Sequence, residues 1–173
     1  MSALEETRID LRCGLPAALE AIGERWSFLI LRAAYNGVQH FEDFLKTLGI
    51  ARNILSDRLG RLVDGGIMVR EPCANDRRKI EYRLTEKGVD LLPAILALRQ
   101  WGEKYGSGEP SNPVLVDTRD FRPIATITIR AHDDRYIGWS ELEWQDEATL
   151  SPPLGKGRPT TSQRLTRAVP DLS

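Results

Sequence analysis

Apolar residues recur at helical spacing over the first part of the chain and alternate in short stretches later on. Residues 16–22 read as a helix that opens on Pro16, where a missing N–H leaves nothing unsatisfied. Gly23 interrupts it, and residues 25–35 form a second helix with Trp26, Leu29, Ile30 and Ala33 on one apolar face. Asn36-Gly37 stops that helix. Residues 41–48 make a short third helix with Phe41, Phe44, Leu45 and Leu48 inward, and Gly49 stands where a C-cap would. In ARNILSDRLGRLVDGG (51–66), Leu55, Leu59, Leu62 and Val63 form a narrow apolar stripe. Arg52, Asn53, Ser56, Asp57 and Arg61 fall on other faces, and Gly65-Gly66 ends this fourth helix.

Two strands are predicted next, over 67–71 and 79–84, joined by a turn holding Pro72, Ala74, Asn75 and Asp76. Thr85 is placed to cap a helix running from Glu86 to about Tyr105, with Val89, Leu92, Ile95, Leu96 and Trp101 as its apolar positions. Pro93 lies inside it and should kink it by freeing the carbonyl of Val89. GSGEPSNP (106–113) has the composition of a linker. Residues 124–130 and 136–144 alternate like strands around a turn at 132–135, which makes 114–150 a β-rich extension. Residues 151–173 are rich in Pro, Ser, Thr and Gly and are expected to be disordered. The fold class is therefore α+β, with one principal domain over 1–105.

Composition narrows the function classes. With 41% apolar and 28% charged residues the chain is that of a globular protein. No apolar run approaches the roughly 20 residues of a membrane span. The charged N-terminus lacks the apolar core of a signal peptide, so a cytoplasmic location is expected. Cys13 and Cys73 are far apart with no CxxC, which argues against a disulfide framework or a zinc site. His40 and His132 alone exclude a multi-histidine centre, and no cofactor is expected. Net charge is −1, but it is segregated. From Lys46 to Arg83, nine Lys/Arg face five Asp/Glu, a net of +4. Residues 109–150 carry four against nine, a net of −5.

Helices followed by a two-stranded hairpin give the order of a winged helix-turn-helix. The helix over 51–64 is then the recognition helix and residues 72–79 the wing. A recognition helix buries one thin stripe and keeps its N-terminal half polar, because that half faces base edges. Arg52 and Asn53 stand at that end, Arg suited to guanine and Asn to adenine. Arg77, Arg78 and Lys79 give the wing the charge that phosphate contact needs. In isolation they would pass for a solvated turn; the hairpin context favours DNA. Arg58 is better placed to support structure or touch phosphate than to read a base. Asp57 would repel phosphate, so it should hold a neighbouring Arg or accept from a base.

The stretch from CGLPAALEAIGERW through NILSDRLGRL to EYRLTEKGVDLLP and Trp101 resembles the HxlR-type winged-helix transcriptional regulators, relatives of the MarR group. The resemblance covers roughly residues 11–105. It implies a double-stranded DNA-binding regulator, with repression the commoner mode, acting as a homodimer on a near-palindromic operator. The dimer would form through the N-terminal segment and the helix over 86–105. The DNA-binding residues would be Arg52, Asn53, Ser56, Asp57, Arg58, Arg61, Arg77, Arg78 and Lys79. Some relatives sense oxidants or electrophiles through the cysteine that Cys13 matches, which makes a redox or small-molecule effector a candidate partner. The extension departs from the shorter members of the family.

Other features have plainer uses. Trp26 and Trp101 suit a core or an interface, Trp139 and Trp144 the packing of a small sheet, and His132 with Asp133 and Asp134 a polar turn. A buried, inert Cys13 at a dimer seam competes with the sensing role, because a reactive thiol needs exposure and a lowered pKa. No nucleophile–base pair, Gly-rich phosphate loop or supported carboxylate pair suggests an enzyme. The alternative function is a winged-helix protein-interaction module without sequence-specific DNA binding.

Overall fold

The computed structural model describes residues 13–108 and 111–145, so the tail expected over 151–173 lies outside the described residues. Two compact units divide at Val89 and Asp90.

The first unit begins with α1 (Gly14–Ile22), α2 (Arg25–Tyr35), α3 (Phe41–Leu48) and α4 (Arg52–Asp64). Strands β1 (Met68–Pro72) and β2 (Ile80–Leu84) and the short α5 (Glu86–Val89) follow. This is the helical core and hairpin of the winged helix-turn-helix. Gly49 caps α3 with φ 60° and ψ 26°, a left-handed conformation that turns the chain sharply towards α4. The core is made of Ile30, Leu31, Phe44, Leu55, Leu59, Leu62, Ile67 and Met68, all at most 1% exposed. Leu55, Leu59 and Leu62 are the predicted stripe of α4.

The inward face of α2 is rotated from the expected one. Ser27, Ile30, Leu31 and Ala33 are buried, whereas Trp26 and Leu29 are half-buried. Trp26 and the consecutive apolar positions Phe28, Leu29, Ile30 and Leu31 leave the helix phase open in sequence. Packing against α3, α4 and β2 selects the face. Trp26 instead lies under the guanidinium of Arg25, 4.6 Å from its ring centre.

β1 and β2 pair antiparallel from Met68↔Leu84 to Pro72↔Ile80. The outer edge of β2 is not bare. The Tyr82 N–H donates to the Gln39 carbonyl (2.8 Å), and His40 Nδ1 lies 2.9 Å from the Ile80 carbonyl oxygen. At the far end of β2, Thr85 joins two turns. Its hydroxyl donates to the Gly66 carbonyl (2.7 Å) and accepts from the Gly88 N–H (3.1 Å), as an N-cap does. Lys87 Nζ donates to the Gly65 carbonyl (2.7 Å) and the Tyr35 hydroxyl to that of Gly88 (2.5 Å). The Gly65-Gly66 turn that ends α4 is thus tied to TEKG.

The helix expected from Glu86 to about Tyr105 with a kink at Pro93 is instead interrupted. After α5, residues 90 and 91 form a turn, and α6 (Leu92–Gly102) starts with Pro93 in its first turn. Proline lacks the N–H that would bond the Val89 carbonyl, but a first turn needs no such bond, so the chain restarts its helix there. A π-type turn, Glu103–Ser107, follows in place of the helix end and the start of the linker.

In the second unit, the two alternating runs meet in an isolated antiparallel bridge, Arg130↔Tyr136, rather than a continuous ladder, and another isolated bridge, Val116↔Pro123, lies before them. The Ala131 N–H bonds the Arg135 carbonyl (2.8 Å), so the turn stands where HDDR placed it. The backbone over 125–127 pairs with a side chain instead of a strand. Gln100 accepts from the Ile127 N–H (2.8 Å) and donates to the Ala125 carbonyl (3.3 Å). A side-chain amide can satisfy one peptide group in this way, which leaves no partner strand to propagate a ladder. Inside the run expected to be strand over 136–144, Trp139–Glu141 forms a 3-10 turn, and Trp139 and Trp144 are 82% and 95% exposed rather than packed. No helix among the described residues is long and apolar enough to cross a membrane.

Candidate nucleic-acid interface

α4 turns its leucine stripe inward, and helical geometry therefore presents Arg52, Asn53, Ser56, Asp57 and Arg61 to solvent. Asn53 and Ser56 have no side-chain partner among the described residues. The charged positions are engaged to different degrees.

Arg52 is the first residue of α4, after the N-cap Ala51. Its two terminal nitrogens donate to the two carboxylate oxygens of Glu42 on α3, at 2.8 and 3.0 Å. Its guanidinium stands 5.2 Å from the ring centre of Phe41. Both Arg52 and Glu42 remain well exposed, at 65% and 70%. The Glu42 hydrogen bonds, with its charge adding to them, hold the guanidinium pKa above its ordinary value.

Arg58 is committed elsewhere. Its side chain is 15% exposed and is bound to Glu24, at the start of α2, and to Asp57 (3.2 Å). Asp57 also takes Arg61 (3.3 Å) one turn on. Asp57 thus holds two neighbouring arginines, as its charge suggested. Arg58 fastens α4 to the N-terminus of α2.

The wing tip closes through backbone bonds from Cys73 N–H to the Lys79 carbonyl (2.8 Å) and from Lys79 N–H to the Asp76 carbonyl (2.9 Å). Asp76 also accepts from the Arg78 backbone N–H (3.1 Å) and Nε (3.2 Å). These bonds, led by the Arg78 side chain, lower the Asp76 pKa and keep the turn in shape. Arg77, Arg78 and Lys79 all project from it exposed, the Arg78 side chain at 91%. The base of the hairpin packs on α4 through β1 and on α2 and α3 through β2, so helix and wing belong to one body. No hydrogen bond joins the wing arginines to those of α4 among the described residues.

Cys13 is exposed at the N-cap of α1 in the single chain, and Cys73 is half-buried in the wing. His132 is exposed in its turn. Sequence reasoning missed Glu42, Phe41 and Gln39. Glu42 and Arg52 lie ten positions apart across a helix–turn–helix corner, so neither helical nor strand periodicity could relate them.

The HxlR-like helix-turn-helix family profile matches residues 21–110. Among curated proteins, the Mycobacterium tuberculosis uncharacterized HTH-type transcriptional regulator Rv3095 is 51% identical over 88 residues, covering 51% of this chain and 56% of that protein. The chain thus spans little more than half the length of this relative. YdeP of Bacillus subtilis, likewise described as an HTH-type transcriptional regulator, is 35% identical over 94 residues, covering 54% of this chain and 73% of YdeP. Among solved structures, PA1607, a candidate transcription factor, superposes with a TM-score of 0.72 at 37% identity, over 79% of this chain and 96% of that one. PA1374 of Pseudomonas aeruginosa, also a candidate transcription factor, gives 0.55 at 29% identity, over 88% and 100%.

Proposed function

The chain belongs to the HxlR-like helix-turn-helix family, and from that premise we propose that it is a sequence-specific double-stranded DNA-binding transcriptional regulator acting as a homodimer. The observation that carries this reading is α4 itself. Its leucine stripe is sealed in the core, while Arg52, Asn53 and Ser56 are exposed at its N-terminal half. That end enters the major groove, with Arg52 and Asn53 at base edges. Arg77, Arg78 and Lys79 neutralise backbone phosphate, and Arg61 adds a phosphate contact at the far end of α4. Asp57 keeps Arg61 oriented. Arg58 acts from behind by fixing the helix.

The dimer rests on apolar surface that a single chain leaves open. Leu98 and Trp101 on α6 and Tyr105 in the turn that follows it are 55%, 63% and 62% exposed. On α1, Leu15 and Leu19, four residues apart, are 61% and 51% exposed. A two-fold dimer places two α4 helices for a near-palindromic operator with half-sites about 34–36 Å apart. Repression, by occupying a promoter, is the mode adopted here.

The test is anisotropy titration of labelled duplexes from the DNA upstream of its own gene, against a shuffled duplex, at several salt concentrations. Wild type should prefer one upstream duplex. The triple variant Arg52→Ala, Arg77→Ala, Arg78→Ala should lose that binding. If the triple variant binds as wild type does, the assigned surface is wrong. Salt-dependent binding without preference among duplexes would point to an interaction module for an acidic protein. Sedimentation in the same buffer checks the dimer.

A further inference from the structure

Arg52 is the best-placed side chain for bidentate reading of a base, yet its fork is already occupied. Glu42 takes both terminal nitrogens at 2.8 and 3.0 Å, and the guanidinium lies 5.2 Å from the ring centre of Phe41. The pair is exposed, so it adds little to stability. Its position is more informative. A cation on the first residue of a helix sits at the positive end of the macrodipole, an unfavourable place. That same end, with an arginine on it, would capture any phosphate it met. Glu42, in the first turn of α3, offsets the first effect and competes with the second.

We propose that Glu42 is a specificity-determining residue of this regulator: an internal competitor that holds the Arg52 fork and yields it only to a base edge offering two matched acceptors. The inference rests on the DNA-binding reading above. A guanine presents O6 and N7 to the fork and can replace the carboxylate bond for bond. A phosphate would have to displace a bidentate carboxylate while bringing its own negative charge close to Glu42, and a mismatched base would have to displace it without offering two matched acceptors. Discrimination then comes from a penalty on wrong partners as well as from attraction to the right one. The Phe41 ring, 5.2 Å from the guanidinium, gives it a second neighbour beside the carboxylate. Neither Glu42 nor Phe41 need touch DNA.

The test starts from a random duplex library enriched on wild-type protein. The enriched duplex and a shuffled duplex of equal composition are titrated with wild type, Glu42→Gln, Arg52→Ala and the double variant at fixed salt. Glu42→Gln should tighten binding to the shuffled duplex about 3- to 10-fold and to the enriched duplex by less. The ratio between the two should therefore fall at least about 3-fold. In the Arg52→Ala background the same change should shift both duplexes by one common factor. An unchanged ratio in Glu42→Gln, or a fall that persists without Arg52, overturns the proposal. If wild type enriches no duplex at all, the DNA-binding reading fails, and this inference with it. Thermal melting of each variant checks the fold, which both exposed side chains leave intact.

Discussion

The Cα of Gly88 packs so closely on Ile67 that a Cβ there would lie 2.3 Å from the Ile67 carbonyl oxygen. The obstacle is backbone, and it belongs to the turn that Thr85 and Lys87 already hold. Gly88→Ala should force α5 away from the end of α4 and lower stability by about 1–3 kcal/mol. Urea unfolding followed by circular dichroism gives the shift in midpoint. A midpoint equal to wild type would mean the turn relaxes freely.

Arg58 and Arg52 sit on the same helix but should fail differently. Arg58→Ala removes the link to Glu24 and unties Asp57, so it should cost about 1–3 kcal/mol of stability. The salt slope of DNA binding should stay as in wild type. A slope lowered by about 1 would instead identify Arg58 as a phosphate contact.

Replacing Arg77, Arg78 and Lys79 by alanine should weaken binding to every duplex by a similar factor. The salt slope should fall by about 2 to 3. Sequence preference should survive if, as proposed, the wing contacts are to phosphate. Loss of preference in this triple variant would assign base reading to the wing.

Asp117 in the extension accepts from the Arg119 side chain and backbone, and these bonds bring its pKa from 3.8 down to about 2. A lowered folded pKa contributes stability above the unfolded value near 3.8 and loses it as pH falls towards 2. Carboxyl-detected NMR titration should show a midpoint near 2 for Asp117 in wild type. Arg119→Ala should return it towards 3.8 and flatten the acid loss of stability over that interval.

Much of the first unit was legible in the sequence because its elements are amphipathic and well punctuated. Leu55, Leu59 and Leu62 announce α4, Gly49 marks the end of α3 and Gly65-Gly66 that of α4, and alternation through Ile80, Tyr82 and Leu84 gives β2. The face of α2 was not legible, because its apolar residues crowd every side. Nor was the break before α6, since a proline inside a helical pattern is compatible with a kink or a restart, and only the local hydrogen bonds decide. Alternation over 124–130 suggested a ladder, but a strand needs a partner, and Gln100 takes that place. The candidate surface was legible as residue types at an exposed helix end. The Glu42–Arg52 pairing was not, since it depends on how two helices meet.

The bonds from Tyr82 to Gln39 and between His40 and Ile80 have a kinetic consequence. They stitch the hairpin to the approach of α3, so the flap is folded into place before any encounter. A floppy arm would have to lose its freedom upon docking and would slow or weaken capture. Here that loss is suffered once, when the chain folds, and on the proposed DNA-binding reading each later landing on a duplex would begin with helix and hairpin already in register.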